Sequence, residues 1–158
     1  MKTPKTNAMR ILDKAKIPYE IFTYEVDESD LSGTHVAESV GLPYSQVFKT
    51  LVAKGDKTGY VVFVIPVDCE IDLKAAAVAS GNKRVEMIAV KDLLSVTGYI
   101  RGGCSPVGMK KQFPTYFDSS VEKHDRIALS GGARGCQLFL ETAKLIEFTK
   151  AEIKEIIR

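Results

Sequence analysis

The stretch Gly98-Tyr99-Ile100-Arg101-Gly102-Gly103-Cys104-Ser105-Pro106-Val107-Gly108 organises the reading of this chain. A short apolar run, Tyr99 and Ile100, leads as a strand end into the Gly102-Gly103 pair, and the segment closes at Gly108. Paired glycines let the backbone bend where other residues resist, and they let main-chain N–H groups approach a guest with no Cβ in the way. Pro106 stiffens the far side by fixing its own φ and pushing Ser105 towards an extended shape. The expected product is a firm shelf of backbone donors, with the Ser105 hydroxyl facing a carbonyl, hydroxyl or phosphate oxygen. A plain tight connection between two strands would read the same way.

Working outward, the second informative stretch is the 47–54 run. Val47, Phe48, Leu51, Val52 and Ala53 are apolar on both parities, which predicts a strand covered on both faces. Lys49 and Thr50 sit in its middle. A lysine there must snorkel out or meet a negative group, because an unpaired buried ammonium is costly; an edge-strand lysine that deters aggregation is the other reading. Downstream, Ser130-Gly131-Gly132-Ala133-Arg134-Gly135 follows an expected strand at 126–130. It reads as a wide hairpin or, beside the first glycine pair, as the second wall of one pocket.

The remaining elements fall between these stretches. Thr3-Pro4 predicts an N-cap and first turn for a helix carrying Ala8, Leu12 and Ala15, stopped by Pro18. A strand is expected over 19–24. Glu25, Asp27, Glu28 and Asp30 crowd an acidic turn, and Thr34 is expected to cap a brief helix closed by Gly41. The 55–59 segment predicts a hairpin into the β-rich 60–65 run. Asp72 is expected to cap an alanine-rich helix over 73–80, closed by Gly81. Strands are expected at 85–88, 115–117 and 137–140, with a helix over 91–96. Thr149 and Glu152 have the spacing of a capping box for a C-terminal helix. The sum is about seven strands and four or five peripheral helices without βαβ alternation: α+β, with one mixed, curled, barrel-like sheet in a single domain, 1–158.

Composition narrows the chemistry. A chain of 158 residues suits one domain, and a net charge of +2 is too small to imply nucleic-acid binding by itself. The polar N-terminus lacks an apolar leader and the longest apolar run is too short for a bilayer, so a cytoplasmic protein without membrane contact is expected. Cys69, Cys104 and Cys136 are odd in number and form no Cys-x-x-Cys unit, which favours reduced thiols. With His35 and His124 the only histidines, a metal site is not expected, and no Ser-His-Asp signature appears. Cys104 is the one candidate nucleophile, but it has no histidine nearby in sequence to activate it.

Taken together, Val47-Phe48-Lys49-Thr50-Leu51, the glycine segment 98–108 and Ser130-Gly131-Gly132 with Arg134-Gly135 resemble the YbaK/EbsC family, free-standing relatives of the editing domain of bacterial prolyl-tRNA synthetases. The likeness runs nearly end to end. It implies a trans-editing deacylase acting on aminoacyl-tRNA at its 3′ acceptor end, chiefly cysteinyl-tRNA(Pro), with prolyl-tRNA synthetase as a further partner. It also implies no cofactor, metal or protein nucleophile. In that family the residue matching Lys49 is the one most tied to activity, and the Gly-x-x-x-Pro loop (Gly102 to Pro106) holds the aminoacyl end. Tyr24 and Thr50 match pocket positions. Gly103, Ser105, Gly108, Ser130, Gly131, Gly132 and Gln137 complete the expected substrate-binding set. Ser32 stands where cysteine-specific members carry an aromatic residue, and Gln137 where they carry an acid. Arg101, Lys110, Lys111 and Arg134 are available for acceptor-stem phosphates, or form a solvated surface. A non-catalytic reader of nucleotides or tRNA ends, or a regulator of cell-envelope proteins, is the alternative to an enzyme.

Overall fold

The computed structural model describes residues 5–158. The first helix, α1 (Asn7–Lys14), is capped by Thr6, whose Oγ1 accepts the Met9 N–H at 3.1 Å. The expected Thr3-Pro4 start lies outside the described residues. Strand β1 (Tyr19–Thr23) leads through the acidic turn to α2 (Gly33–Val40), whose cap is Ser32 rather than Thr34: the Ser32 hydroxyl accepts the His35 N–H. The hairpin of β2 (Phe48–Gly55) and β3 (Gly59–Pro66) follows, then α3 (Leu73–Ser80) with its Asp72 cap, as expected. Next come β4 (Val85–Met87), α4 (Val90–Thr97), β5 (Thr115–Asp118), β6 (Arg126–Ser130), β7 (Cys136–Glu141), α5 (Thr142–Thr149) and β8 (Glu152–Lys154).

These elements make two open sheets, not one curled barrel-like sheet. One has the order β1-β7-β6 and is antiparallel throughout; the other has the order β4-β2-β3-β5-β8, with β3·β5 and β5·β8 parallel. A single bridge, Val47 to Ala128, links them. The fold is therefore mixed, with five α-helices and two sheets among the described residues. The capping-box reading of Thr149 fails because Thr149 ends a helix: its hydroxyl donates back to the Leu145 carbonyl at 2.9 Å, and Glu152 opens β8. The 98–108 segment leaves a helix, α4, and not a strand.

Alternation along the central hairpin divides the core. Phe48, Val52, Val62 and Val64 point between the sheets, against Leu129 and Leu138 of the opposite sheet and Met9 and Leu12 of α1. Ala53, Val61, Phe63 and Ile65 point the other way, onto Ala76 and Ala77 of α3 and onto Ile156. The hairpin is thus buried on both faces, as the apolar run on both parities predicts. Burying each large aliphatic side chain contributes roughly 1.5–3 kcal/mol, so this shared layer is the main anchor of the architecture. Among the described residues no helix is long and apolar enough to cross a membrane.

Candidate functional site

The Val47–Ala128 bridge brings the start of β2 beside β6, and a cleft of about 390 Å³ opens where the two sheets part. Its walls include Lys49 and Thr50 from β2, Ser130 and Gln137 from the β6–β7 hairpin, and Arg101, Gly102 and Cys104 from the glycine segment. Ser130 and Gln137 face each other across the hairpin register. The 130–135 stretch is therefore a hairpin turn whose glycines lie off the cleft, and only Ser130 at its start contributes to the wall.

The two glycine-rich bends touch. A Cβ on Gly103 would stand 3.2 Å from the Ala133 Cα, tighter than ordinary packing allows. Gly102 has φ +84°, a left-handed conformation that suits glycine, and the Arg134 side chain lies over it. The Arg134 Nε donates to the Arg101 carbonyl at 2.8 Å, tying one bend to the other.

The glycine segment spends part of its donor capacity on itself. The Gly103 N–H donates to the Ile100 carbonyl at 2.9 Å, whereas the N–H groups of Gly102 and Cys104, both on the cleft wall, have no acceptor among the described residues. Ser105 is wholly buried, and its hydroxyl accepts the Val107 N–H at 3.1 Å. It does not face the cleft, which corrects the sequence expectation. A hydroxyl two residues ahead of a free N–H closes a local turn, and that bond outcompetes an outward orientation. Pro106 and Gly108 line a separate cavity of about 300 Å³ on the far side of the loop, against Ile11 and Phe148. Gly131 and Gly132 shape the hairpin without lining the cleft: a Cβ on Gly131 would strike the Cys136 Sγ, and the Gly132 N–H donates to the Ser130 hydroxyl at 3.2 Å. Tyr24 lies outside as well. It borders a neighbouring depression with Glu25 and His35, and its N–H donates to the Gly135 carbonyl at 3.0 Å.

Polar groups of the cleft residues differ in their pairing: the Ser130 hydroxyl accepts the Gly132 N–H, whereas two oxygens buried just behind the lining have no partner. The Thr50 Oγ1 and Gln137 Oε1 are shut off from water with no hydrogen-bond partner, although Gln137 is only 5% exposed. The Lys49 ammonium belongs to no ion pair among the described residues. Lys49 is half-buried and leans to the face of β2 opposite Thr50, so the two reach the cleft from either side of the strand. Cys104 lines the same wall, but burial pushes its thiol up to about 12, which holds it protonated. Among the described residues no three His, Cys, Asp or Glu side chains gather as metal ligands would.

Sequence reasoning missed Gly33 and Val67 as cleft residues and gave Arg101 to acceptor-stem phosphates or to a solvated surface, not to the cleft wall. Gly33 lies so close to Val67 that an added Cβ would sit 2.5 Å from the Val67 Cγ1, which is what lets the first turn of α2 roof the cleft. The serine cap at Ser32 was the available signal for that turn.

Comparison with known proteins places this geometry in context. The family model described as "Aminoacyl-tRNA editing domain" matches residues 32–148. A protein of Enterococcus faecalis (strain ATCC 700802 / V583), named "Putative Cys-tRNA(Pro)/Cys-tRNA(Cys) deacylase EbsC", is 50% identical over 152 residues, covering 96% of this chain and 93% of that relative. The fold is shared with the solved structure of "a putative trans-editing enzyme for prolyl tRNA synthetase" (TM-score 0.82, 22% identity, 99% of each chain covered). It is shared too with that of "hypothetical protein APE2540" (TM-score 0.87, 18% identity, 97% of this chain and 100% of that one). The resemblance drawn from the Lys49 strand and the two glycine-rich bends is borne out: the chain belongs to the aminoacyl-tRNA editing domain family.

Proposed function

We propose that this protein is a trans-editing deacylase that cleaves the ester between a mis-attached amino acid and the 3′ end of a tRNA, with cysteine on tRNA(Pro) as the preferred substrate. The carrying observation is that Lys49 shares one cleft with two residues, Thr50 and Gln137, whose side-chain oxygens lie buried and unpartnered just behind its lining; the other two such oxygens among the described residues, on Ser120 and Thr142, lie outside it. An orphaned buried polar group costs about 1–3 kcal/mol, a cost that a bound molecule relieves. Cysteine is the amino acid in the name of the 50%-identical relative, and tRNA(Pro) is one of the two carriers in that name, beside tRNA(Cys).

The chemistry needs no protein nucleophile. An aminoacyl ester is already activated, so positioning and charge stabilisation supply much of the acceleration. In this reading the Gly102 and Cys104 N–H groups receive the ester carbonyl oxygen as it gains negative charge. Lys49 holds the terminal ribose or its phosphate, and Gln137 accepts a donor from the amino acid. A cysteinyl substrate attacks its own ester: the thiol loses its proton and its sulfur bonds to the carbonyl carbon. The carbon–oxygen bond to the ribose then breaks, the ribose oxygen takes a proton, and the amino acid leaves as a thiolactone. Other amino acids require water as the attacking group.

A deacylation panel of cysteinyl-, alanyl-, seryl- and prolyl-tRNA(Pro) under multiple turnover tests the reading. The wild-type protein should release cysteine fastest, and Lys49→Ala should slow release by about 10²-fold, the scale of losing one charge-stabilising contact. Seryl-tRNA, isosteric but without the thiol, should lag well behind cysteinyl-tRNA if the substrate attacks itself. A protein that leaves every ester intact, or protects it, is a reader of tRNA ends and not an enzyme.

A further inference from the structure

Resting on the editing reading, we infer that Arg101 and Arg134 form an RNA-phosphate grip at the cleft mouth. In this grip Arg134 ties capture of the single-stranded 3′ end to the position of the Gly102 bend. Arg101 lines the cleft through its own residue, and Arg134 is fixed against it by the Nε-to-carbonyl bond of 2.8 Å. That bond uses one of five guanidinium N–H donors, leaving the two terminal NH2 groups of Arg134 for another acceptor. Neither guanidinium forms an ion pair among the described residues, whereas Arg126 pairs with Glu20 and Arg158 with Glu70. A planar cation held rigid, unpaired and beside a cleft suits a phosphodiester, whose two free oxygens match the guanidinium fork.

The neighbouring acidic turn gives the grip a direction. That turn meets the Arg134 hairpin at the Tyr24 N–H to Gly135 carbonyl bond. Its Asp27 and Asp30 carboxylates accept from the hydroxyls and N–H groups of Ser29 and Ser32, which hold them ionised well below the usual carboxylate range. Neither carboxylate forms an ion pair with Arg101 or Arg134, so the turn keeps its negative charge and the arginines keep theirs. A phosphate chain is therefore repelled on the side of residues 25–30 and attracted over residues 101 and 134. Because the Arg134 aliphatic stem covers Gly102, with the would-be Cβ of that glycine 3.4 Å from the Arg134 Cγ, a phosphate that settles Arg134 also settles the bend carrying the Gly102 and Cys104 N–H groups.

Salt titrations separate the parts. Binding of uncharged tRNA(Pro) and kcat/KM for cysteinyl-tRNA(Pro) are measured between about 50 and about 200 mM salt, where each single-strand phosphate contact contributes roughly 0.7 to the log–log slope. Arg101→Gln and Arg134→Gln should each flatten both slopes by about that amount. Arg134→Lys, which keeps the charge but loses the Nε brace, should keep the binding slope while kcat falls. Unchanged slopes in both glutamine variants overturn the grip, even if deacylation is confirmed. An Arg134→Lys enzyme with full kcat overturns the coupling. Wild type that deacylates nothing yet binds tRNA with a slope flattened in the variants removes the editing reading and keeps the grip.

Discussion

Two buried side-chain amides in this molecule have opposite lives. Asn82, 8% exposed, sits where the β2–β3 hairpin meets α3; its Oδ1 accepts the N–H groups of Lys57 and Thr58, and its Nδ2 donates to Thr58 and Ser80. Gln137, 5% exposed, sits in the cleft with its Oε1 unpartnered. The first amide is saturated by its own chain and stabilises a turn. The second is left open, and an open amide in a water-excluded wall belongs to whatever enters. Burial alone does not tell structure from site, and neither does an open hydrogen bond, since Ser120 and Thr142 carry one away from the cleft; the open amide and its place on the cleft together mark Gln137.

The contrast can be broken by experiment. Asn82→Ala strands two backbone donors and should destabilise the fold by about 2–3 kcal/mol in denaturant melts, with kcat per folded molecule retained. If that variant instead lost activity at unchanged stability, the division of roles would be wrong. Gln137→Leu should do the reverse on a smaller scale. Removing an unpartnered acceptor leaves stability unchanged or slightly higher, while KM for the aminoacyl-tRNA rises about tenfold, near 1.4 kcal/mol, as one hydrogen bond to the substrate is lost. A clear fall in stability in that variant would show that the amide serves the fold after all.

The smallest effect concerns Cys104, which shares the cleft wall but not the open chemistry. Cys104→Ser should change kcat less than about threefold, whereas a true nucleophile would lose nearly all turnover. Its signature is alkaline. The thiol is raised by burial from 9.0 to about 12, so its contribution to stability is complete below pH 9 and lost as pH rises from there towards 12. Unfolding at pH 8 and pH 10 should therefore show a loss about 1 kcal/mol larger for wild type than for the serine variant.

The sequence carried the elements well where one local rule decided them. Asp72 and Gly81 bound α3, and the apolar run on both parities marked a hairpin strand buried on both faces. It carried less wherever a choice between partners decided. Periodicity reports that a face is covered but not by which sheet, so two open sheets joined at Val47 and Ala128 looked like one curled sheet. Thr149 and Glu152 kept the spacing of a helix start although one closes α5 and the other opens β8. In the site, Lys49, Thr50, Gly102, Ser130 and Gln137 do converge on one cleft. Ser105 turned inward because its nearest donor was two residues away, and Gly33 escaped notice because close approach to Val67 is visible only in space.

That lone rung between the sheets, Val47 to Ala128, has one more consequence. It joins interior to gap at close range: one step beyond Ala128 on the ladder, Leu129 and Leu138 pack in the interior, and one step further Ser130 and Gln137 stand on the jaws of the cleft. Bulk added or trimmed in that interior would swing the jaws without altering any residue that lines them. Preference for a smaller or larger amino acid can thus drift through changes that a catalogue of lining residues would never flag.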